Sequence, residues 1–214
     1  MPKPEKTPFF LPLLSIIPAL LGVLLLTGCS APEPPELKQA TLLPVAKAVA
    51  DFQLTDQASR PFTLDNLKGR WTLAFFGYTH CPDVCPTSMA MLAQVQRQLE
   101  RDPDAAELPQ VVFFSVDPER DTPELLASFV PYFHDSFIGV TGNPDEVLRL
   151  TRQLGIIYGK TGGSGADDYL VDHSAAIILF DPAGSFHALF SAPHQPELIA
   201  SDFLAIRDYY EALR

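Results

Sequence analysis

Positive charge is what this sequence is short of. Fifteen Lys and Arg stand against 26 Asp and Glu in 214 residues, a formal net charge of −11 and a pI near 4.7. Basic patches are the expected footprint of nucleic-acid binding, so this balance argues against nucleic acid and leaves room for a cationic partner. Cysteine is rarer, with only Cys29, Cys81 and Cys85. An odd count leaves one thiol over in any pairing scheme for an exported protein. Internal repeats are absent and nothing marks a second globular unit, so the length suits one domain behind a leader.

Residues 1–28 read as a signal peptide. Lys3 and Lys6 give a basic start, and Phe9–Leu26 is apolar but broken by Pro12 and Pro18. Leu26-Thr27-Gly28-Cys29 resembles the bacterial lipobox, in which cleavage precedes the cysteine and lipid is attached to it. The competing reading is an uncleaved N-terminal transmembrane helix, because the apolar run approaches spanning length. Small residues before Cys29 favour lipidation, which also accounts for the odd cysteine. Either way the domain faces an oxidising compartment, expected to be the periplasmic face of a bacterial membrane. Residues 29–50 form a Pro-rich tether, with Ser30–Lys47 semi-stiff and able to hold the domain up to roughly 50 Å from the bilayer. The globular part is expected over 51–214.

Within it, Phe52 and Leu54, then Phe62 and Leu64, alternate around Asp56-Gln57-Ala58-Ser59 and predict a short hairpin. Thr72–Phe76 and Val111–Val116 are apolar runs expected as buried strands. Between them Pro86 opens a helical stretch with Met89, Leu92, Val95 and Leu99 on one face, so a parallel crossover follows. A polar run from Asp117 leads into a helix over about Pro123–Tyr132 capped by Asp121 or Thr122, and its charges suit a solvated turn. Phe137–Val140 suits a short strand. Asn143 caps a further helix that Gly155 ends, with Glu146 completing a capping box. Gly159–Asp168, rich in glycine, is expected to be a mobile loop. Ala175–Phe180 and Ser185–Phe190 pair around Asp181-Pro182-Ala183-Gly184, and Pro196–Leu213 closes the chain as a helix.

The chemistry concentrates at Thr79-His80-Cys81-Pro82-Asp83-Val84-Cys85-Pro86, between the first buried strand and its helix. A helix N-terminus carries partial positive charge and spare N–H donors, which favour thiolate over thiol. A lowered thiol pKa serves both metal ligation and disulfide exchange. Three residues separate the cysteines, so a disulfide requires Cys81 to lie before the helix proper. Two thiolates on one face also suit a soft metal ion. Metal carrier and thiol redox protein both remain open at this point.

Hairpin, strand–Cys–helix–strand unit, inserted helices, second hairpin and last helix together describe a thioredoxin-like α/β fold: a central mixed sheet flanked by helices, with an N-terminal hairpin extension. Three blocks make the match specific. Phe76–Pro86, Ser115-Val116-Asp117-Pro118-Glu119-Arg120-Asp121-Thr122-Pro123 and Asp168-Tyr169-Leu170-Val171-Asp172-His173-Ser174 resemble, in order, motifs of the Sco/SenC family. These are membrane-attached copper proteins that assist assembly of cytochrome c oxidase. The resemblance implies copper, as Cu(I) and Cu(II), on Cys81, Cys85 and His173, with Asp117 supporting the site from behind. It implies the oxidase's copper-binding subunit as partner, with the membrane reached through an N-terminal lipid on Cys29.

On this reading the protein is a metallochaperone rather than an enzyme. The alternative is a thiol–disulfide oxidoreductase that uses Cys81 and Cys85 to keep the oxidase subunit's cysteines reduced, and His173 separates the two, since disulfide exchange needs no third ligand. A peroxidase, hinted at by Val84-Cys85-Pro86-Thr87, requires Thr or Ser where Pro82 stands. His80 is expected to point away from the site, and the sequence suggests no partners for His134, His187 and His194.

Overall fold

The structure is a computed structural model that describes residues 32–105, 107–162 and 168–214. The 1–28 segment and Cys29 lie outside the described residues, as does 163–167 of the expected glycine-rich loop. Strands run as β1 (Ala40–Lys47), β2 (Gln53–Asp56), β3 (Pro61–Thr63), β4 (Thr72–Gly77), β5 (Gln110–Ser115), β6 (Ile138–Thr141), β7 (Tyr158–Thr161), β8 (Leu170–His173), β9 (Ile177–Phe180) and β10 (Phe186–Phe190). Helices are α1 (Val84–Leu99), α2 (Pro123–Phe129), α3 (Pro144–Leu154) and α4 (Pro196–Ala212).

Eight strands make one mixed sheet in the order β1-β10-β9-β4-β5-β6-β2-β3. β4, β5 and β6 run parallel and the other pairings are antiparallel. This is the expected thioredoxin-like arrangement, with β2–β3 as the hairpin extension. Strands covered on both faces read as continuous apolar runs, and every residue of β4 is buried. Phe75, Phe76, Phe113 and Phe114 fill the centre, Phe76 and Phe114 stacking at 5.0 Å between ring centroids. Each such side chain contributes about 1.5–3 kcal/mol on burial. α1 lies against α4, and Trp71 meets Phe203 and Tyr210 edge-on at the foot of α4.

Three local expectations change. Residues 40–47, counted with the tether in the sequence, instead form the edge strand β1. Pro44 concealed it, and the structure accommodates that proline at an edge, where the register with β10 breaks between Leu42 and Lys47. β1 is held at its start by Asp202, whose buried carboxylate accepts the N–H groups of Lys38, Gln39 and Ala40. The register places Ala40 beside Phe190, Phe190 beside Ile177 and Ile177 beside Phe75, so the chain enters the sheet level with the C-terminal end of β4.

The second change is that Tyr158–Thr161, expected to run largely into loop, pairs with Leu170–His173 as a separate antiparallel ribbon, β7–β8. The third concerns α3. Asn143 caps it through the Asp145 N–H and Gly155 ends it in a left-handed conformation (φ 72°), but Glu146 turns to the Gln53 N–H and Arg149.

Candidate metal centre

β4 ends at Gly77, where the surrounding atoms leave no room for a side chain. A Cβ there would lie 2.8 Å from Cys85 Sγ and 3.0 Å from the rings of Phe113 and Phe75. The chain then turns through Tyr78–Asp83 into α1. Cys81 lies in that turn, partly buried, and Cys85 lies fully buried in the first turn of α1; both are free thiols. Cys81 is therefore outside the helix, the position that a disulfide at this spacing would need.

The two sulfurs sit in opposite electrostatic settings. Burial opposes ionisation of Cys81, but the N–H groups of Asp83, Cys85 and Val84 outweigh it and hold the pKa below the ordinary thiol value. The Cys85 N–H reaches Cys81 Sγ at 3.4 Å. For Cys85 burial wins and pushes the thiol far up, against the Tyr78 N–H that faces it and with the charge of Cys81 adding to the rise.

His173 arrives from the ribbon. Its Nδ1 lies 3.1 Å from the Ser174 carbonyl oxygen and its Nε2 lies 3.2 Å from Cys85 Sγ. A carbonyl only accepts, so Nδ1 carries the ring proton and Nε2 turns its lone pair to the sulfur. Burial lowers the ring's pKa despite that carbonyl, which favours the neutral imidazole. Phe75 and Tyr78 hold the ring edge-on at 5.8 and 6.1 Å. One ligand atom from each of Cys81, Cys85 and His173 lies within 4.8 Å of the others. Two sulfurs and one lone-pair nitrogen are a donor set that suits a soft or borderline metal ion.

The run from Asp117 is not a solvated turn. Asp117 and Asp121 are 1% and 0% exposed. Asp121 accepts the Thr79 N–H at 3.0 Å, the Thr79 hydroxyl at 2.6 Å and the Ser115 hydroxyl at 2.7 Å, so it fixes the turn that carries Cys81. Asp117 accepts the Tyr169 hydroxyl at 2.7 Å and pairs with Arg120, touching neither sulfur nor imidazole. Its part is therefore indirect. Tyr78, Arg120, Asp121 and Tyr169 were missed as site residues although all four stand in the three sequence blocks. The signal available was a charged run confined between a buried strand and a helix cap.

His80 is half-exposed, with Nδ1 at 3.0 Å from the Thr79 hydroxyl. His134 pairs with Glu100, His187 with Asp181, and His194 faces the Phe190 carbonyl oxygen. None of these four histidines stands in the three-residue group.

The SCO1/SenC family model matches residues 41–207. The chain belongs to the SCO1/SenC family. A mitochondrial SCO2 homolog of Mus musculus is 40% identical over 149 residues, covering 70% of this chain and 58% of that one. The chain thus spans little over half the length of that relative. A putative copper-binding protein of Stutzerimonas stutzeri is 38% identical over 152 residues, 71% of this chain and 73% of its own length. The structure of Bradyrhizobium japonicum ScoI with copper bound superposes with a TM-score of 0.65 at 39% identity, covering 75% of this chain and 98% of that one. In this Sco-family chain the family match begins within β1, in agreement with the strand's place in the sheet.

Proposed function

We propose that the protein carries one copper ion as cargo on Cys81, Cys85 and His173 and passes it to the copper-binding subunit of cytochrome c oxidase during assembly. The observation that carries this reading is the convergence of three ligand atoms within 4.8 Å from two distant parts of the chain. Its family relationship, with copper bound in the Bradyrhizobium relative, supports the choice of metal.

The chain's own groups account for loading and release. Cys81 offers a sulfur already inclined to ionise. Burial favours the protonated form of Cys85, whose Sγ lies 3.2 Å from His173 Nε2. Metal uptake displaces this proton, so binding is coupled to proton release and weakens as pH falls. Two soft sulfurs hold Cu(I), and the imidazole nitrogen makes the same site acceptable to Cu(II). The 1–28 segment is proposed as a signal peptide, with Cys29 lipidated and 29–39 as the leash from the periplasmic face of the membrane to a domain that starts at β1. Among the described residues no helix is long and apolar enough to cross a membrane. Intact mass should show a diacylglyceryl-modified chain starting at Cys29; an unmodified chain retaining 1–28 would establish the spanning alternative.

Copper titration of the reduced soluble domain, with the absorption spectrum recorded, tests the metal reading. One equivalent should bind, with thiolate-to-Cu(II) charge-transfer bands, and the Cys81–Cys85-oxidised form should take up almost none. Equal uptake by both forms rejects the site. A second reading, thiol–disulfide reductase, draws on the same asymmetry: a partly exposed, activated Cys81 beside a buried Cys85. His173→Ala separates the two in a strain carrying only that variant. Lost oxidase assembly with intact disulfide exchange supports copper delivery, whereas normal assembly without added copper supports the reductase.

A further inference from the structure

The His173 ligand is carried by an element with little packing of its own. Of the eight residues in β7 and β8, only Val171 is buried. The ribbon belongs to a separate two-stranded sheet and shares no ladder with the main one. Something else must fix where its last residue lies, because displacing His173 by an ångström or two removes the nitrogen from the sulfurs.

The polar run after β5 supplies that fixing. The Tyr169 hydroxyl donates to Asp117 Oδ1 at 2.7 Å. Arg120 Nη1 donates to the Tyr169 carbonyl oxygen at 3.1 Å, and its guanidinium lies 3.6 Å over the Tyr169 ring. The Arg120 Nε closes the triangle on Asp117 Oδ2. The other strand of the ribbon is tied to the same turn, Lys160 Nζ meeting Glu119 at 2.6 Å and the Tyr169 ring at 4.4 Å. Arg120 also stands 5.7 Å over Tyr78, whose ring meets His173 edge-on at 6.1 Å.

Both strands are thus pinned to one turn, and that turn also holds the Cys81 segment through Asp121. Asp117 and Arg120 are nearly enclosed, at 0% and 10% side-chain exposure, so their pairing is shielded from water and salt.

We propose that Asp117, Arg120 and Tyr169, with the outer Lys160–Glu119 pair, form a clasp that positions His173 over the two sulfurs and so sets how well the site holds Cu(II) relative to Cu(I). With the clasp closed the site has three ligands. With it open, Cys81 and Cys85 remain, a pair that retains Cu(I) and holds Cu(II) poorly. Asp117, Arg120 and Tyr169 are positioning residues that act through His173, and the proposal rests on the copper reading above.

The test uses Arg120→Ala and the milder Tyr169→Phe, which removes one hydroxyl and keeps the ring, each in the wild-type and His173→Ala backgrounds. Cu(II) affinity should fall about 10–100-fold for Arg120→Ala, the range for losing a partner that orients a ligand, with a smaller fall for Tyr169→Phe. Cu(I) affinity should stay within about threefold in both, since the thiolates are untouched. In the His173→Ala background the clasp variants should cause no further loss of Cu(II), because distinct effects add only when they do not share a path.

Equal losses of Cu(I) and Cu(II), or additive losses in the double variants, would show a general structural role and overturn the proposal. The metal-free protein provides an independent arm. Amide exchange at 158–161 and 170–173 should accelerate at least tenfold in Tyr169→Phe or Arg120→Ala while β4 and α1 stay protected. Unchanged protection overturns the clasp even if the wild-type chain binds no copper, an outcome that would instead remove the copper reading.

Discussion

The two cysteines and the histidine are supplied by opposite kinds of structure. Cys81 and Cys85 stand at the junction of β4 and α1, where the whole strand is buried and the Cys85 sulfur and the rings of Phe75 and Phe113 crowd round Gly77. His173 stands at the end of a ribbon with one buried side chain among eight residues. That side chain contributes about 1.5–3 kcal/mol, while ordering backbone costs about 1–2 kcal/mol for each residue. The ribbon therefore depends on its polar ties and on the contacts of His173 with Cys85, Phe75 and Tyr78. A site divided in this way keeps its thiols in place whatever happens to the third ligand, and that ligand can be moved cheaply.

The comparison breaks most visibly if the cysteine side is not the foundation. Cys85→Ser should bring copper uptake below detection by equilibrium dialysis, whereas His173→Ala should keep most Cu(I) and lose Cu(II). The reverse ranking would place the foundation on the ribbon.

Stability gives the next largest contrast. Phe113→Ala, in the centre of the sheet, should cost about 3–5 kcal/mol in urea unfolding. Leu170→Ala, on a ribbon side chain 51% exposed, should stay within about 0.5 kcal/mol. Comparable values for the two would mean that the ribbon is integral to the core.

Gly77→Ala sharpens the cysteine side alone. Its new methyl group meets Cys85 Sγ and two aromatic rings, so a destabilisation of about 1–3 kcal/mol is expected together with altered charge-transfer bands of the copper-loaded form. An unchanged spectrum would show that the sulfur position tolerates crowding.

The finest contrast lies between the sulfurs. Iodoacetamide should modify Cys81 first, with a pH midpoint below that of an ordinary thiol, because N–H donors offset its burial and ionisation precedes reaction. Cys85, held protonated by burial, should react only once the fold opens. Equal rates at neutral pH would remove the asymmetry.

Much of this arrangement was legible in the residues. An apolar run, a cysteine pair and Pro86 fix the strand–thiol–helix unit through local rules that act within a dozen residues. The resemblance in the later block then singled out His173, which spacing alone does not connect with a cysteine pair whose nearer member, Cys85, is 88 positions away. Asp117 was marked, but its partners were not, because Tyr169 lies 52 residues further on and only the folded chain brings them together. β1 escaped for a different reason. Pro44 reads as a strand breaker, and an edge with an irregular register is the setting that absorbs one. The charged run from Asp117 misled similarly: composition suggests solvation, while burial depends on what the turn packs against.

The register of β1 determines how far the site can search. Three strand spacings of about 4.8 Å separate Ala40 from Phe75, so the leash leaves roughly 14 Å sideways from the metal centre and on the same end of the sheet. Asp202 holds three successive N–H groups at that exit, which keeps the point of departure from sliding along the edge. With the anchoring proposed above, and with Leu37 packed on the core and residues 38 and 39 held by Asp202, residues 30–36 would extend at most about 22 Å in polyproline form. On that anchoring the centre would sweep a shallow shell over the membrane, and its search for an acceptor embedded in the same bilayer would be confined to that shell. Under that confinement a weak, fast-separating encounter would serve the proposed transfer better than tight docking, which would delay the next one.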